Sequence, residues 1–140
     1  MFWDASAIVP LLLAEARSNA MTELLRSSPT PVVWWGTIVE CQSAIHRKHR
    51  ESPLARTTYN SAFERLSLFL DSSDTVPPVD EVRRRAGRLL STHALRAADA
   101  LQLAAALIYS DEDPRQEIFV CLDDRLREAA WKEGFRLLPV

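Results

Sequence analysis

Asp4, Glu40, Asp99 and Asp123 are the side chains whose types and settings in this chain could do chemistry. Asp99 poses the sharpest physical problem. It stands in the stretch Leu95 to Ile108, LRAADALQLAAALI, where Ala and Leu favour a helix and almost every side of the wheel is apolar. A carboxylate in that setting becomes neutral, finds hydrogen-bond donors or is held charged by a cation, because burying it unpaired costs several kcal/mol. Each acid also has an ordinary structural role open to it. Asp4 and Asp123 suit helix N-caps, at roughly 1 kcal/mol apiece. Thr37 and Glu40 match the capping box, and Asp99 complements a helix dipole. If these acids converge, however, they repel one another unless something positive neutralises them. Carboxylate and water ligands suit hard divalent ions such as Mg²⁺ and Mn²⁺. Such an ion makes its bound water a better nucleophile and shields phosphate charge, the logic of phosphodiester hydrolysis. His46, His49 and His93 lie in polar segments and read as surface residues, and Cys41 and Cys121 have no metal-ligand spacing, so zinc and a His-based nucleophile are disfavoured.

The positioning elements follow from hydrophobic pattern. Met1 to Trp3 reads as a strand ended by Asp4, and Ser6 is placed to cap a short helix in which Pro10 is tolerated only near the start. NAMTELLRSS has helical spacing and is stopped by Pro29 and Pro31; Val32 to Trp35 is a fully apolar strand with both indoles in the core. After Gly36, Thr37 begins a helix that carries Glu40 in its first turn. Pro53 opens the next helix, with the stripe Leu54, Tyr59, Ala62, Phe63, Leu66, Phe69 and Leu70. Thr75 and Val76 allow one short strand, and Asp80 to Leu90 is a helix with a basic face of Arg83, Arg84, Arg85 and Arg88. The Asp99 helix, an acidic loop, the strand Ile118 to Leu122, a helix begun by Asp123 and capped by Gly134, and a strand from Phe135 to Leu138 complete the chain.

Short apolar strands alternating with helices predict a three-layer α/β/α domain with a central, mainly parallel sheet of about 4 to 5 strands. Ligands bind such sheets beyond the carboxyl ends of the strands. That one edge would hold Asp4 and Asp123 at strand ends and Glu40 and Asp99 in first helical turns.

A length of 140 residues suits one domain spanning 1–140. With 47% hydrophobic and 26% charged residues the chain is globular, and a net charge of -2 gives no overall attraction to nucleic acid, so any attraction is local. The separated cysteines fit reduced thiols, and no apolar run approaches the length of a membrane span, so a cytoplasmic protein is expected.

Taken together, DASAIV at Asp4, TIVECQSAI around Glu40, LRAADALQLAAAL around Asp99 and FVCLDDRLREAA around Asp123 resemble the PIN-domain ribonucleases, in particular the VapC-type toxins of bacterial toxin–antitoxin pairs. The resemblance runs along essentially the whole chain in the family's order. It implies an Mg²⁺- or Mn²⁺-dependent endoribonuclease with a metal site matching Asp4, Glu40, Asp99 and Asp123 and a supporting hydroxyl at Ser6. It also implies inhibition by a VapB-like antitoxin and a homodimer. Arg96 and Arg125 flank the proposed site and could grip RNA phosphates. Cys121 stands where many relatives carry Thr or Ser, and Asp124 competes with Asp123 for the fourth position. The alternative is a catalytically weak module of the same fold that binds RNA or a protein partner. A phosphoacceptor receiver would want paired acids on its first strand and a Lys on its last, and a haloacid-dehalogenase-like phosphatase an Asp-x-Asp motif; Asp4-Ala5-Ser6 supplies neither acidic pattern.

Overall fold

The computed structural model describes residues 1–27 and 30–140, and Pro29, one of the expected helix stops, lies outside the described residues. The strands β1 (Phe2–Trp3), β2 (Val32–Trp34), β3 (Asp74–Val76), β4 (Ile118–Val120) and β5 (Arg136–Leu138) form one sheet. Its order is β3-β2-β1-β4-β5, and every neighbouring pair is parallel. The helices among the described residues are α1 (Ala5–Leu12), α2 (Ser18–Ser27), α3 (Thr37–Glu51), α4 (Arg56–Asp71), α5 (Asp80–Thr92), α6 (Ala97–Tyr109) and α7 (Asp124–Glu133).

Strand side chains alternate between two cores, as the pleat requires. Phe2, Val32, Trp34 and Phe119 pack into one core with Val82 and Leu89 of α5, Leu103 and Leu107 of α6, and Leu126 of α7. Trp3, Val33 and Val120 pack into the other with Ile8, Met21, Ile45 and Leu66 from α1 to α4. Helices therefore cover both faces, which is why the strands read as continuous apolar runs. The chain runs from β1 outward to β2 and β3, then crosses to β4 and β5 on the other side. The carboxyl ends of β1 and β4 thus flank a topological switch point, where the outgoing connections part and leave a crevice. Asp4 sits there with its backbone N–H donating to Val120 O at 2.9 Å.

Several local expectations are corrected. At α1, where both Asp4 and Ser6 suit the N-cap, Asp4 takes the position, since its side chain accepts from the Ser6 N–H. Pro10 lies well inside α1, where the buried Ala7, Ile8, Val9 and Leu12 hold the short helix despite the missing donor. Thr37 and Glu40 form no capping box: Gly36 is the N-cap with no side-chain bond, and the Thr37 hydroxyl turns inward to Gln102. The helix expected at Pro53 starts at Arg56, because the chain before it is held extended, with the Leu54 N–H donating to His49 Nδ1 at 3.0 Å. β2 ends at Trp34, so Trp35 lies outside the core, 59% exposed and edge-on to Trp34.

The basic face of α5 and the histidine beyond it are also less free than their polarity suggests. Arg85 bonds Glu112 Oε1 at 3.0 Å and Glu133 Oε2 at 2.9 Å, and His93 Nε2 lies 2.6 Å from Glu133 Oε1 with its side chain only 9% exposed. This network ties α5 to α7. Arg83 pairs with Asp80 on its own helix.

Candidate active site

The switch point opens into a cleft of about 850 Å³ lined by Asp4, Glu40, Asp99 and Asp123, together with Ser6, Arg96 and Arg125. Every sequence-predicted site residue is thus brought to one place. Asp124 is not among them and lines a smaller hollow beside Arg127 and Pro139, so of the two neighbouring acids Asp123 belongs to the cleft.

Each acid arrives there through the local folding of its own element. Asp4 is only 4% exposed. Its Oδ2 accepts the Ser6 N–H at 2.9 Å and the Ser6 hydroxyl, and the Cys121 thiol lies 3.6 Å away. Ser6 Oγ in turn accepts the Leu122 N–H at 2.9 Å, so one hydroxyl ties the exit of β4 to the carboxylate after β1. The side-chain bonds that Asp4 accepts all fall on Oδ2, so capping α1 and lining the cleft are compatible roles. The same holds for Asp123, which caps α7 by accepting the Leu126 N–H on Oδ1 at 2.9 Å.

Glu40 reaches the cleft from the first turn of α3, which follows directly on Gly36. A Cβ at Gly36 would stand 2.5 Å from the Trp34 indole nitrogen, so the strand-to-helix turn needs a residue without one. Glu40 Oε1 accepts from Gln102 Nε2 at 3.0 Å. Asp99 comes from the first turn of α6, whose N-cap, Arg96, makes no side-chain bond to the helix.

The electrostatics record the crowding. Burial pushes the Asp4 carboxyl above its usual range against the pull of its Ser6 and Cys121 hydrogen bonds, and the charge of Asp99 adds to the rise. Burial, helped by the charges of Asp4 and Asp99, pushes Glu40 up to about 8 although Gln102 opposes it. Asp99 is raised by burial and by Asp123, while Arg96 and Arg125 act in the opposite direction. Burial also drives the Cys121 thiol upward, so it stays protonated beside Asp4. A site that penalises its own negative charges in this way favours a cation among them.

The donors fit a hard divalent ion in kind, being carboxylate oxygens on one sheet edge. Among the described residues, however, no group of three or more His, Cys, Asp and Glu side chains is already arranged to hold a metal ion. Contacts through water, which Mg²⁺ retains readily, or side-chain rotation would have to complete a shell.

The family model for the PIN domain matches residues 1–132. The chain belongs to the PIN domain family. This PIN domain is 29% identical over 139 residues to each of two curated proteins of Mycobacterium tuberculosis, Ribonuclease VapC45 of strain CDC 1551 / Oshkosh and Ribonuclease VapC49 of strain H37Rv, covering 99% of this chain and 94% of each relative. Among solved structures it is similar to PAE2754 from Pyrobaculum aerophilum, with a TM-score of 0.63 and 22% identity over 98% of this chain and 87% of that one. It is also similar to FitAcB from Neisseria gonorrhoeae, with a TM-score of 0.66 and 16% identity over 97% and 94% of the two chains. At those identities the structural likeness speaks for the fold.

Hydrophobic pattern did not single out Gln102, which holds Glu40, nor Arg47 and Lys48, which line the cleft of this PIN domain. Gln102 is fully buried and bonds both Glu40 and Thr37. Its signal was present: it is the lone polar residue in ALQLAAAL. Arg47 and Lys48 of α3 line the cleft. Arg47 lies seven residues after Glu40, two helical turns along the same face. Lys48 is neutralised by an ion pair with Glu15.

Proposed function

We propose that this PIN domain is a metal-dependent endoribonuclease, the toxin of a VapBC-type toxin–antitoxin pair. The observation that carries this reading is the convergence of Asp4, Glu40, Asp99 and Asp123, from the ends of β1 and β4 and the first turns of α3 and α6, on one cleft. The names of the two Mycobacterium tuberculosis relatives, both VapC ribonucleases, supply the substrate class.

In this reading Asp4, Glu40 and Asp99 hold the principal Mg²⁺ or Mn²⁺, directly or through water, and Asp123 supports that ion or a weaker second one. The bound ion supplies a lowered pKa for coordinated water and screening of developing phosphate charge. The chain itself provides binding and orientation. Ser6 fixes the Asp4 carboxylate through two hydrogen bonds on one oxygen. Arg96 and Arg125, on the rim beside Asp99, grip RNA phosphates. No Ser, Cys or His is called on as a nucleophile. The whole of 1–140 acts as one domain, in the cytoplasm, as a homodimer held inactive by a VapB-like antitoxin. No helix among the described residues is long and apolar enough to cross a membrane.

Cleavage of total cellular RNA by purified wild type and Asp99→Asn, each with Mg²⁺, Mn²⁺ or excess EDTA, tests the proposal. Discrete fragments only with metal-loaded wild type are expected. Cleavage that survives EDTA or the Asp99→Asn substitution would overturn the metal-site reading. Two folded but inert proteins would favour a binding module of the same fold.

A further inference from the structure

We infer that Gln102 is a positioning residue for the acid site, presetting the Glu40 carboxylate against the Asp99 helix before any cation arrives. The inference rests on the metal-site reading above. Its ground is a buried polar arrangement in a place that sequence pattern assigns to the core. Gln102 lies one turn beyond Asp99 on α6, is 0% exposed, and sits among Leu103, Ala104, Ala105 and Ala106, all equally buried. An apolar residue there would avoid the cost of desolvating an amide. The amide is instead fully used. Nε2 donates to Glu40 Oε1 at 3.0 Å and to Thr37 Oγ1 at 3.1 Å, and the Thr37 hydroxyl approaches Gln102 Oε1 at 3.4 Å.

The geometry has a directional consequence. Thr37, itself 0% exposed, is the first residue of α3, and Glu40 closes that helix's first turn three positions later. One amide therefore grips α3 at two points, its start and its acidic side chain. Glu40 has several rotatable bonds and would otherwise sample rotamers that leave the cleft. With one oxygen committed to Gln102, its other oxygen is confined to a narrow arc. Because Gln102 and Asp99 share a rigid helical turn, the same contact sets the relative placement of Glu40 and Asp99. Hydrogen-bond partners of metal ligands contribute about 10- to 100-fold to metal affinity in comparable sites.

The test is Mn²⁺ binding to the full chain, followed by the loss of the free-ion electron paramagnetic resonance signal, which needs no RNA and no turnover. Gln102→Met keeps length and suits the apolar surroundings; Thr37→Val checks the second grip. The expected result is a Kd raised about 10- to 100-fold for Gln102→Met and less for Thr37→Val, with circular dichroism and EDTA melting curves showing both variants folded. Glu40→Gln and the double variant Glu40→Gln/Gln102→Met then separate positioning from general packing. If Gln102 acts through Glu40, the double variant binds Mn²⁺ no more weakly than Glu40→Gln alone. Wild-type affinity in Gln102→Met, or a further tenfold loss in the double variant, would overturn the positioning role. Absence of Mn²⁺ binding by folded wild type would overturn the metal-site reading itself, an outcome distinct from the other two.

Discussion

Neutralising Glu40 should stabilise the metal-free protein at high pH and do almost nothing at low pH. In the folded chain the Glu40 carboxyl is pushed from 4.5 up to about 8, first by burial and then by the charges of Asp4 and Asp99. The folded state therefore binds a proton that the unfolded state has released, and stability falls as pH rises from the unfolded value through the folded one. At about 1.4 kcal/mol per pH unit the interval from 4.5 to about 8 sets a ceiling of roughly 5 kcal/mol. Water at the open mouth of the cleft and the shared titration of Asp4, Glu40 and Asp99 reduce this, so a difference on the order of 2 kcal/mol is expected at pH 9. Gln in place of Glu keeps the acceptor that Gln102 reaches and cannot ionise. Urea unfolding of wild type and Glu40→Gln in EDTA, at pH 4.5, 7 and 9, measures the gap. The prediction is equal stability within about 0.5 kcal/mol at pH 4.5 and a more stable Glu40→Gln at pH 9. A gap independent of pH, or a variant less stable than wild type at pH 9, would refute the idea that the site stores charge repulsion.

Other consequences follow from the rim and the core. Arg47 lines the cleft and has no ion-pair partner among the described residues, whereas its neighbour Lys48 is paired with Glu15. Arg47→Ala should weaken binding of a labelled single-stranded RNA in EDTA several-fold and reduce the salt slope by about 0.7, while Lys48→Ala changes the slope little; fluorescence anisotropy across a salt series reads both. Leu103 is fully buried where α6 meets the sheet, so Leu103→Ala should cost about 2 to 5 kcal/mol in urea unfolding.

The layers of this fold were legible because a parallel sheet covered on both faces leaves a strong mark. Val32–Trp34 and Ile118–Val120 are apolar without alternation, and α6 is apolar nearly all round. Asp4, Glu40, Asp99 and Asp123 were legible as a set because strand ends and helix starts in such a sheet share one edge. Element starts were harder to read, since they depend on contacts that local pattern does not contain. Ser6 suits an N-cap as well as Asp4 does, and its hydroxyl is used instead between the Asp4 carboxylate and the Leu122 N–H just after β4. Thr37 and Glu40 have capping-box spacing, and only the arrival of Gln102 from 62 positions beyond Glu40 redirects both side chains inward. His93 looks like a surface residue until α7 delivers Glu133 to it. Trp34 and Trp35 are alike in type and differ in fate because the strand ends between them.

The central claim is that the acids at the switch point of the sheet hold a divalent cation. A crystal of the wild-type protein soaked in Mn²⁺, with data collected at the manganese absorption edge, tests it most directly. An anomalous peak is expected in the cleft, bonded to Asp4, Glu40 or Asp99 oxygens at about 2.0 to 2.3 Å, with water completing the shell. A cleft without a peak, or a peak bound only by residues outside it, would mean that these acids do not form the cation site.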